Sequence, residues 1–577
     1  MVNKIISKSK KLLTSPQSSV LSAATIIMLM VIASRILGLV RQRVLAHYFL
    51  PADLSLFFAA FRLPDLIFEV LVFGTFSSAF IPVFTKALKK GNSDAWEIAG
   101  YVTNISLLIF GSFALLAGIF ANNLYAIFAP GFGPAERVEI VKIARILFAA
   151  QGFFVISYVL TGVLESLRRF LIPALAPLFY NLGIILGTIL LVSDMKLLSP
   201  AIGVFVGAGL HFLIQLPLAI KLGFRFIPSI RLTKDVRKIG KLALPRVIEL
   251  SFLQISKTVE LFLASLISTA SYTYFTFGNS LQLLPVGLFG TSIAKAALPT
   301  LARQAEDKAQ FRRTLFNALY QIVFLVLPVA TILIVLRIPL VRLVFGTEIF
   351  DWEATVQTGI VVSSFAMGAV FQAANSLLAR AFYALHDTKT PVIVSISGII
   401  IIVLADFIFI KGFGLPVWGL ALAFSIGSAY QAILLFSLLS KRVGKSSFIK
   451  LAVPILKSGI SAVGAGSVMY FVLKIFDRSV WVKRLSFLGK IEATSVIPFE
   501  KFVLDTRYTA NLLILTIAVS LMGAFVYLGI AILLKQKEVG IFFDLLKRTF
   551  IKHKITPIPI KKQEQITPTQ TDTTSIQ

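Results

Sequence analysis

Apolar and polar residues follow one another along this chain in long blocks. Windows of about 20 mostly apolar residues, the length that crosses a bilayer as a helix, fall near 22–40, 56–84, 98–121, 140–164, 172–193 and 200–220. A basic stretch follows. Further windows lie near 243–269, 271–298, 314–336, 356–384, 391–411, 416–439, 450–475 and 510–534. The pattern predicts an all-α polytopic membrane protein of about fourteen transmembrane helices.

Composition agrees: 57% of the 577 residues are hydrophobic and only 14% charged, with a mean hydropathy of +0.87. A net charge of +29 would suggest a nucleic-acid partner in a soluble domain. Here the basic residues gather in short loops, which reads as topology and attraction to anionic membrane lipids, with no nucleic acid. Every second loop is basic, from Lys86, Lys89 and Lys90 through Arg168 and Arg169 to Lys441, Arg442, Lys445 and Lys450. That alternation predicts that both termini are cytoplasmic. Lys4, Lys8, Lys10 and Lys11 precede the first window, which is read as a retained helix and not a cleaved signal peptide. The chain has no Cys, so disulfides, thiolate metal sites and a cysteine nucleophile are excluded.

Matched residues mark an internal repeat. Pro200, Gly203 and Gln215 recur as Pro416, Gly419 and Gln431, offset by 216; Pro82 answers Pro299 at 217 and Pro173 answers Pro391 at 218. Six helices per copy leave both copies in the same orientation, related by an axis along the membrane normal. The expected organisation is a cytoplasmic segment 1–21, an N-lobe 22–220, a basic linker 221–242 and a C-lobe 243–440. Two extra helices within 441–535 carry an extracytoplasmic loop 476–508, and the tail 536–577 is disordered at its end. Two like-oriented bundles with helix breakers at matched places suggest a transporter that rocks about a central site.

The candidate chemistry lies between Ser34 and Pro82. Arg35 lies inside the first window and Arg41 closes it, while Arg62 interrupts the second, just before Pro64 and Asp65. An arginine inside hydrocarbon costs roughly 2.5–3.5 kcal/mol on insertion scales. Each one could snorkel to the interface; together they favour a water-filled cavity that holds an anion. Lys257 and Lys295 are candidates for further cavity charge, with snorkelling again the alternative. Glu260 and Asp406 are acids inside apolar runs, candidates for coupling to Na⁺ or H⁺ or for pairing with a nearby cation. The four histidines are scattered, and no metalloprotease, nucleophile-elbow or phosphate-loop motif occurs, so no enzyme and no cofactor are expected. Any transport is then driven by an ion gradient, the membrane potential or the substrate gradient.

Several stretches carry a family likeness: ASRILGLVRQ (33–42), AAFRLPDL (59–66), FSSAFIPVF (76–84), FAPGFG (128–133), RRFLIPALAP (168–177), LQLLPVGLFG (281–290), LPTLARQ (298–304), RLVFGTEIF (342–350) and LLARAFYALHDTKTPV (377–392). With them the chain resembles the MurJ (MviN) family of lipid II flippases, in the superfamily of multidrug, oligosaccharidyl-lipid and polysaccharide exporters. The resemblance implies alternating access for an undecaprenyl-linked peptidoglycan precursor in the bacterial cytoplasmic membrane. It further implies a cationic cavity for the pyrophosphate, a groove on the two extra helices for the lipid tail, and the cell-wall synthesis machinery as a candidate partner.

By the resemblance, Arg35 and Arg41 stand at the two arginine positions of the first helix. Arg62 stands at a Lys or Arg position and Asp65 where Asn is usual. Phe68 replaces an essential arginine, Phe73 a Glu, and Asn279, Ser280 and Leu283 replace Asp, Arg and Glu; Ser55 falls on an acidic position. In some members a cation site joins the seventh and eleventh helices. Two further readings stay open: a paralogue moving another polyprenyl-linked glycan or amphiphile, and a non-transporting envelope scaffold.

Overall fold

The computed structural model describes residues 20–73, 79–89, 91–444, 448–477, 504–506 and 508–540. The N-terminal lysines, Lys90, Lys445, most of the loop 476–508 and the tail beyond 540 lie outside the described residues. The helices run α1 (Val20–Tyr48), α2 (Pro51–Ala60), α3 (Arg62–Phe68), α4 (Ile81–Leu88), α5 (Asn92–Ile119), α6 (Ala121–Phe128), α7 (Pro134–Ser166), α8 (Leu171–Met195), α9 (Leu198–Leu213) and α10 (Leu216–Lys221). They continue as α11 (Lys234–Ile267), α12 (Ser271–Pro285), α13 (Ser292–Arg303), α14 (Lys308–Val335), α15 (Arg337–Phe345), α16 (Trp352–Ala384), α17 (Lys389–Phe407), α18 (Trp418–Val443), α19 (Phe448–Phe476) and α20 (Thr509–Leu533). No strand forms among the described residues; a single bridge pairs Asp477 with Leu504.

Among the described residues, twelve segments are long and apolar enough to cross a membrane, from Ser93–Ile119 to Thr509–Leu533. They correspond to the third to fourteenth predicted windows. The first window is helix α1. The second differs from expectation: it is broken into α2, α3, a π turn at Glu69–Phe73 and α4. Pro64 is one cause. It has no N–H to give the carbonyl of Ala60, and the buried Tyr125 hydroxyl donates to that oxygen instead, at 2.7 Å. The basic stretch 221–242 is irregular only as far as Thr233. That residue caps α11 by accepting from the Val236 N–H.

Packing repeats between residues 20–221 and 234–443. α7 packs on α5, α2 and α9, and α9 on α8; likewise α16 packs on α14, α12 and α18, and α18 on α17. α1 against α8 is answered by α11 against α17. Backbone details recur at the same spacing. Arg168 (φ 58°) and His386 (φ 59°) take left-handed conformations 218 residues apart, as do Lys196 (φ 44°) and Gly414 (φ 64°). A second π turn at Val286–Thr291 begins 217 residues after the first. Gln215 accepts from Thr161 of α7, and Gln431 from Asn375 of α16, so each glutamine bridges equivalent helices.

The FYALHDTKTPV stretch is a helix start. The Asp387 carboxylate accepts from the N–H groups of Lys389 and Thr390 and from the Thr390 hydroxyl, and pairs with Arg442 at 2.6 Å. Partial burial would raise this carboxyl, but those donors and the guanidinium outweigh it and hold it below the usual range.

Besides the packing of α11 along the first half, the two halves are joined by hydrogen bonds at one end of the bundle. There Ser55 and Thr273 share a hydrogen bond of 2.9 Å, Thr273 donates to the Pro51 carbonyl, Thr347 to that of Ala46, and Arg43 to that of Leu343. α19 and α20 pack on each other, and α19 on α14; the Tyr527 hydroxyl donates to the Phe324 carbonyl at 2.9 Å. Large apolar side chains such as Val463 and Phe525 stay exposed on this pair, as lipid-facing positions do.

Within the first half, α8 and α9 approach at Gly183, Gly187, Gly203 and Gly207; a Cβ on Gly183 would lie 2.4 Å from the Gly207 Cα. Gly183→Val is expected to destabilise the detergent-solubilised protein by roughly 2 kcal/mol or more, whereas Gly209→Val, with nothing within 4 Å, leaves the melting temperature within a degree or two. Thermal unfolding of both variants checks this.

Candidate functional site

A cavity of about 320 Å³ lies between the halves. α1 supplies Arg41 and Gln42; the broken second span supplies Phe57, Phe58, Phe61, Arg62 and Asp65; α8 supplies Tyr180 and Ile184. From the other half come Lys257 of α11 and Tyr272 and Thr276 of α12. One wall is therefore aromatic, and the polar groups converge from both halves.

Arg62 starts α3 directly after the break that Pro64 and Tyr125 stabilise. Its side chain is 5% exposed, and its Nε and Nη2 have no protein partner. The buried Nε of Arg41 is unpartnered as well. Asp65 follows Arg62 by three residues, on the same face of α3, and its Oδ1 accepts from Gln151 Nε2 at 2.7 Å. Lys257 pairs with Glu69 at 3.2 Å, and Gln254, one turn before it on α11, donates to the same carboxylate oxygen. Gln42 accepts from Ser280 at 2.9 Å, tying α1 to α12 beside the cavity. Two arginines that line a cavity and have guanidinium nitrogens without a protein partner are candidates for the seat of an anion.

Of the residues expected from the sequence, the structure brings Arg41, Arg62, Asp65 and Lys257 together. Arg35 does not line the cavity. It is exposed, with its guanidinium beside the second π turn, where a Cβ on Gly287 would lie 3.4 Å from Nη2. Lys295 is exposed on α13, past that turn. Glu260 is half-buried one turn beyond Lys257, within the electrostatic reach of Lys257 and Arg62. Asp406 is 0% exposed, neither carboxylate oxygen has a partner, and Glu260 is the charge that acts on it. Among the described residues no three His, Asp or Glu side chains cluster as a metal site.

Phe68 does not face the cavity. It is buried against Phe110, Phe154 and Tyr158 inside the first half, so the aromatic there takes no charge from the cavity wall. Sequence reasoning missed Gln42, Tyr180, Tyr272 and Thr276, which are ordinary residues of apolar runs. It also missed the pairing role of Glu69, although a carboxylate in the middle of a span is itself a signal.

A family profile described as lipid II flippase MurJ matches residues 45–490. The chain is 29% identical over 434 residues to a Vibrio cholerae protein named "Probable lipid II flippase MurJ", covering 72% of this chain and 82% of that one. Its fold is similar to a solved structure titled as lipid II flippase MurJ in an inward closed conformation, with a TM-score of 0.71 and 24% identity over 90% of this chain and 99% of that chain. A multidrug resistance MATE transporter of the MOP superfamily, solved in its inward-facing conformation, is similar at a TM-score of 0.56 and 15% identity, covering 71% of this chain and 94% of that one.

The absence of Cys makes a single introduced thiol a clean probe of the cavity. Thr276→Cys is expected to react roughly tenfold faster with an anionic than with a cationic methanethiosulfonate, and the preference should fall when Arg41 and Arg62 are both changed to alanine. Labelling rates in membranes measure it.

Proposed function

The chain belongs to the lipid II flippase MurJ family, and from that premise we propose that it moves lipid II from the inner to the outer leaflet of the bacterial cytoplasmic membrane by alternating access. One observation carries the reading: Arg62 lines the cavity between the two halves, is only 5% exposed, and has two guanidinium nitrogens without a protein partner. A diphosphate satisfies such donors bidentately, and Arg41 and Lys257 add charge where the group would sit. The aromatic wall suits the sugars or the first isoprenes next to that charge. The protein is a transporter, not an enzyme.

The repeated packing and matched backbone turns support two six-helix lobes that move about this site. With the N-terminus cytoplasmic, as the loop charges indicate, the closed end at Ser55, Thr273 and Thr347 faces outwards and the state is inward-facing. The exposed apolar faces of α19 and α20 would carry the polyprenyl tail. Glu260 and Asp406, neighbouring acids on α11 and α17, are the candidates for binding the coupling cation.

Arg62→Ala is expected to cut transport by about 30-fold or more, as removal of one partner of a buried charged contact does, with the amount of protein in the membrane unchanged. Complementation of a strain depleted of its own lipid II flippase, read with an immunoblot of membranes, checks it. Asp406→Asn should abolish the dependence of transport on the coupling gradient. Uptake into proteoliposomes with imposed Na⁺ or proton gradients checks that, and unchanged gradient dependence would remove Asp406 from the coupling site.

A further inference from the structure

Glu69 opens the first π turn, four residues after Asp65 and seven after Arg62, on the same side of the broken span. π turns inside helices are frequent at functional sites. The Oε2 of Glu69 accepts hydrogen bonds from Gln254 and, at 3.2 Å, from the Lys257 ammonium, both on α11 of the other half. Lys257 also lines the cavity. A carboxylate reaching over from the opposite half thus already pairs with the third cation of the cavity.

This pair is about one-third exposed, 38% at Lys257 and 32% at Glu69. At that exposure an ion pair is weak and open to exchange with a stronger anion. A diphosphate bridge is stronger, because it carries a charge on each phosphate and more acceptor oxygens in total than one carboxylate. Gln254 is 1% exposed with its Oε1 unpartnered. It keeps a hydrogen bond for Glu69 when Lys257 leaves, so the displaced carboxylate is not stranded.

Building on the flippase reading, we propose that Glu69 is an internal stand-in for the substrate's phosphate: it holds Lys257 across the interface while the cavity is empty and yields it to the incoming headgroup, untying α11 from the second span. The substrate thereby interacts differently with the tied and untied states, which is what any ligand-driven change of state requires. After release, Glu69 retakes Lys257 and restores the empty state.

Lipid II binding to the unaltered protein, Glu69→Gln, Lys257→Met and the double variant in nanodiscs tests this, together with turnover in proteoliposomes. Glu69→Gln should bind lipid II about threefold more tightly, the size of a part-exposed ion pair, while turning over more slowly. In the Lys257→Met background the same substitution should leave affinity unchanged. Tighter binding with slower turnover is not the signature of a merely structural pair, whose loss weakens binding and thermal stability together; that result, or an unchanged affinity in Glu69→Gln while the unaltered protein binds, overturns the proposal. Absence of binding by the unaltered protein overturns the flippase reading and the proposal with it.

Discussion

A guanidinium held inside a membrane protein needs water or an anion, because hydrocarbon offers it nothing. Arg62 is such a group, buried and with two of its nitrogens unpartnered in the protein. The surrounding structure makes that position tenable and useful. The helix break before it turns the side chain towards the interface between the halves. Asp65 offsets part of its charge without closing on it, being held by Gln151. The cavity in front of it leaves room for a charged ligand.

The break and the repeat belong to one mechanism. Pro64 removes a backbone donor and Tyr125 replaces it, so the second span is interrupted there without leaving the Ala60 carbonyl unsatisfied. The repeat places a second irregular turn opposite, at Val286–Thr291, with Arg35 beside it. Polar groups at membrane depth thus collect where the helices are irregular, while Gly183, Gly187, Gly203 and Gly207 let regular helices pack closely elsewhere. Contacts at the Ser55 end are mainly single hydrogen bonds made by hydroxyls. Each is modest.

Much of this was legible beforehand because membrane spans are read from length and hydropathy, and a repeat from residue spacing. The twelve spans among the described residues fall where the apolar windows lie, and Arg41, Arg62, Asp65 and Lys257 line one cavity. What the pattern could not show is which side of a helix faces the cavity. Arg35 and Arg41 are six residues apart, about 120° around a helix, and the structure turns only Arg41 inwards. Phe68, expected beside the substrate by position, points into the first half's aromatic core. The π turn at Glu69 has no composition signature, and it sets the register of the residues around it. Tyr180 and Tyr272 carry no signal in a run of apolar neighbours; only the packing of α8 and α12 brings them to the wall.

The central claim is that unpartnered arginine at the lobe interface is the seat of a lipid-linked diphosphate. The most direct measurement is native mass spectrometry of the purified protein with lipid II, compared with a variant carrying both Arg41→Ala and Arg62→Ala. The account predicts a bound species for the unaltered protein and a loss of at least about tenfold in its population for the double variant, with the circular-dichroism spectrum unchanged. Equal binding by a folded double variant would contradict it, because the headgroup would then be held somewhere other than this cavity.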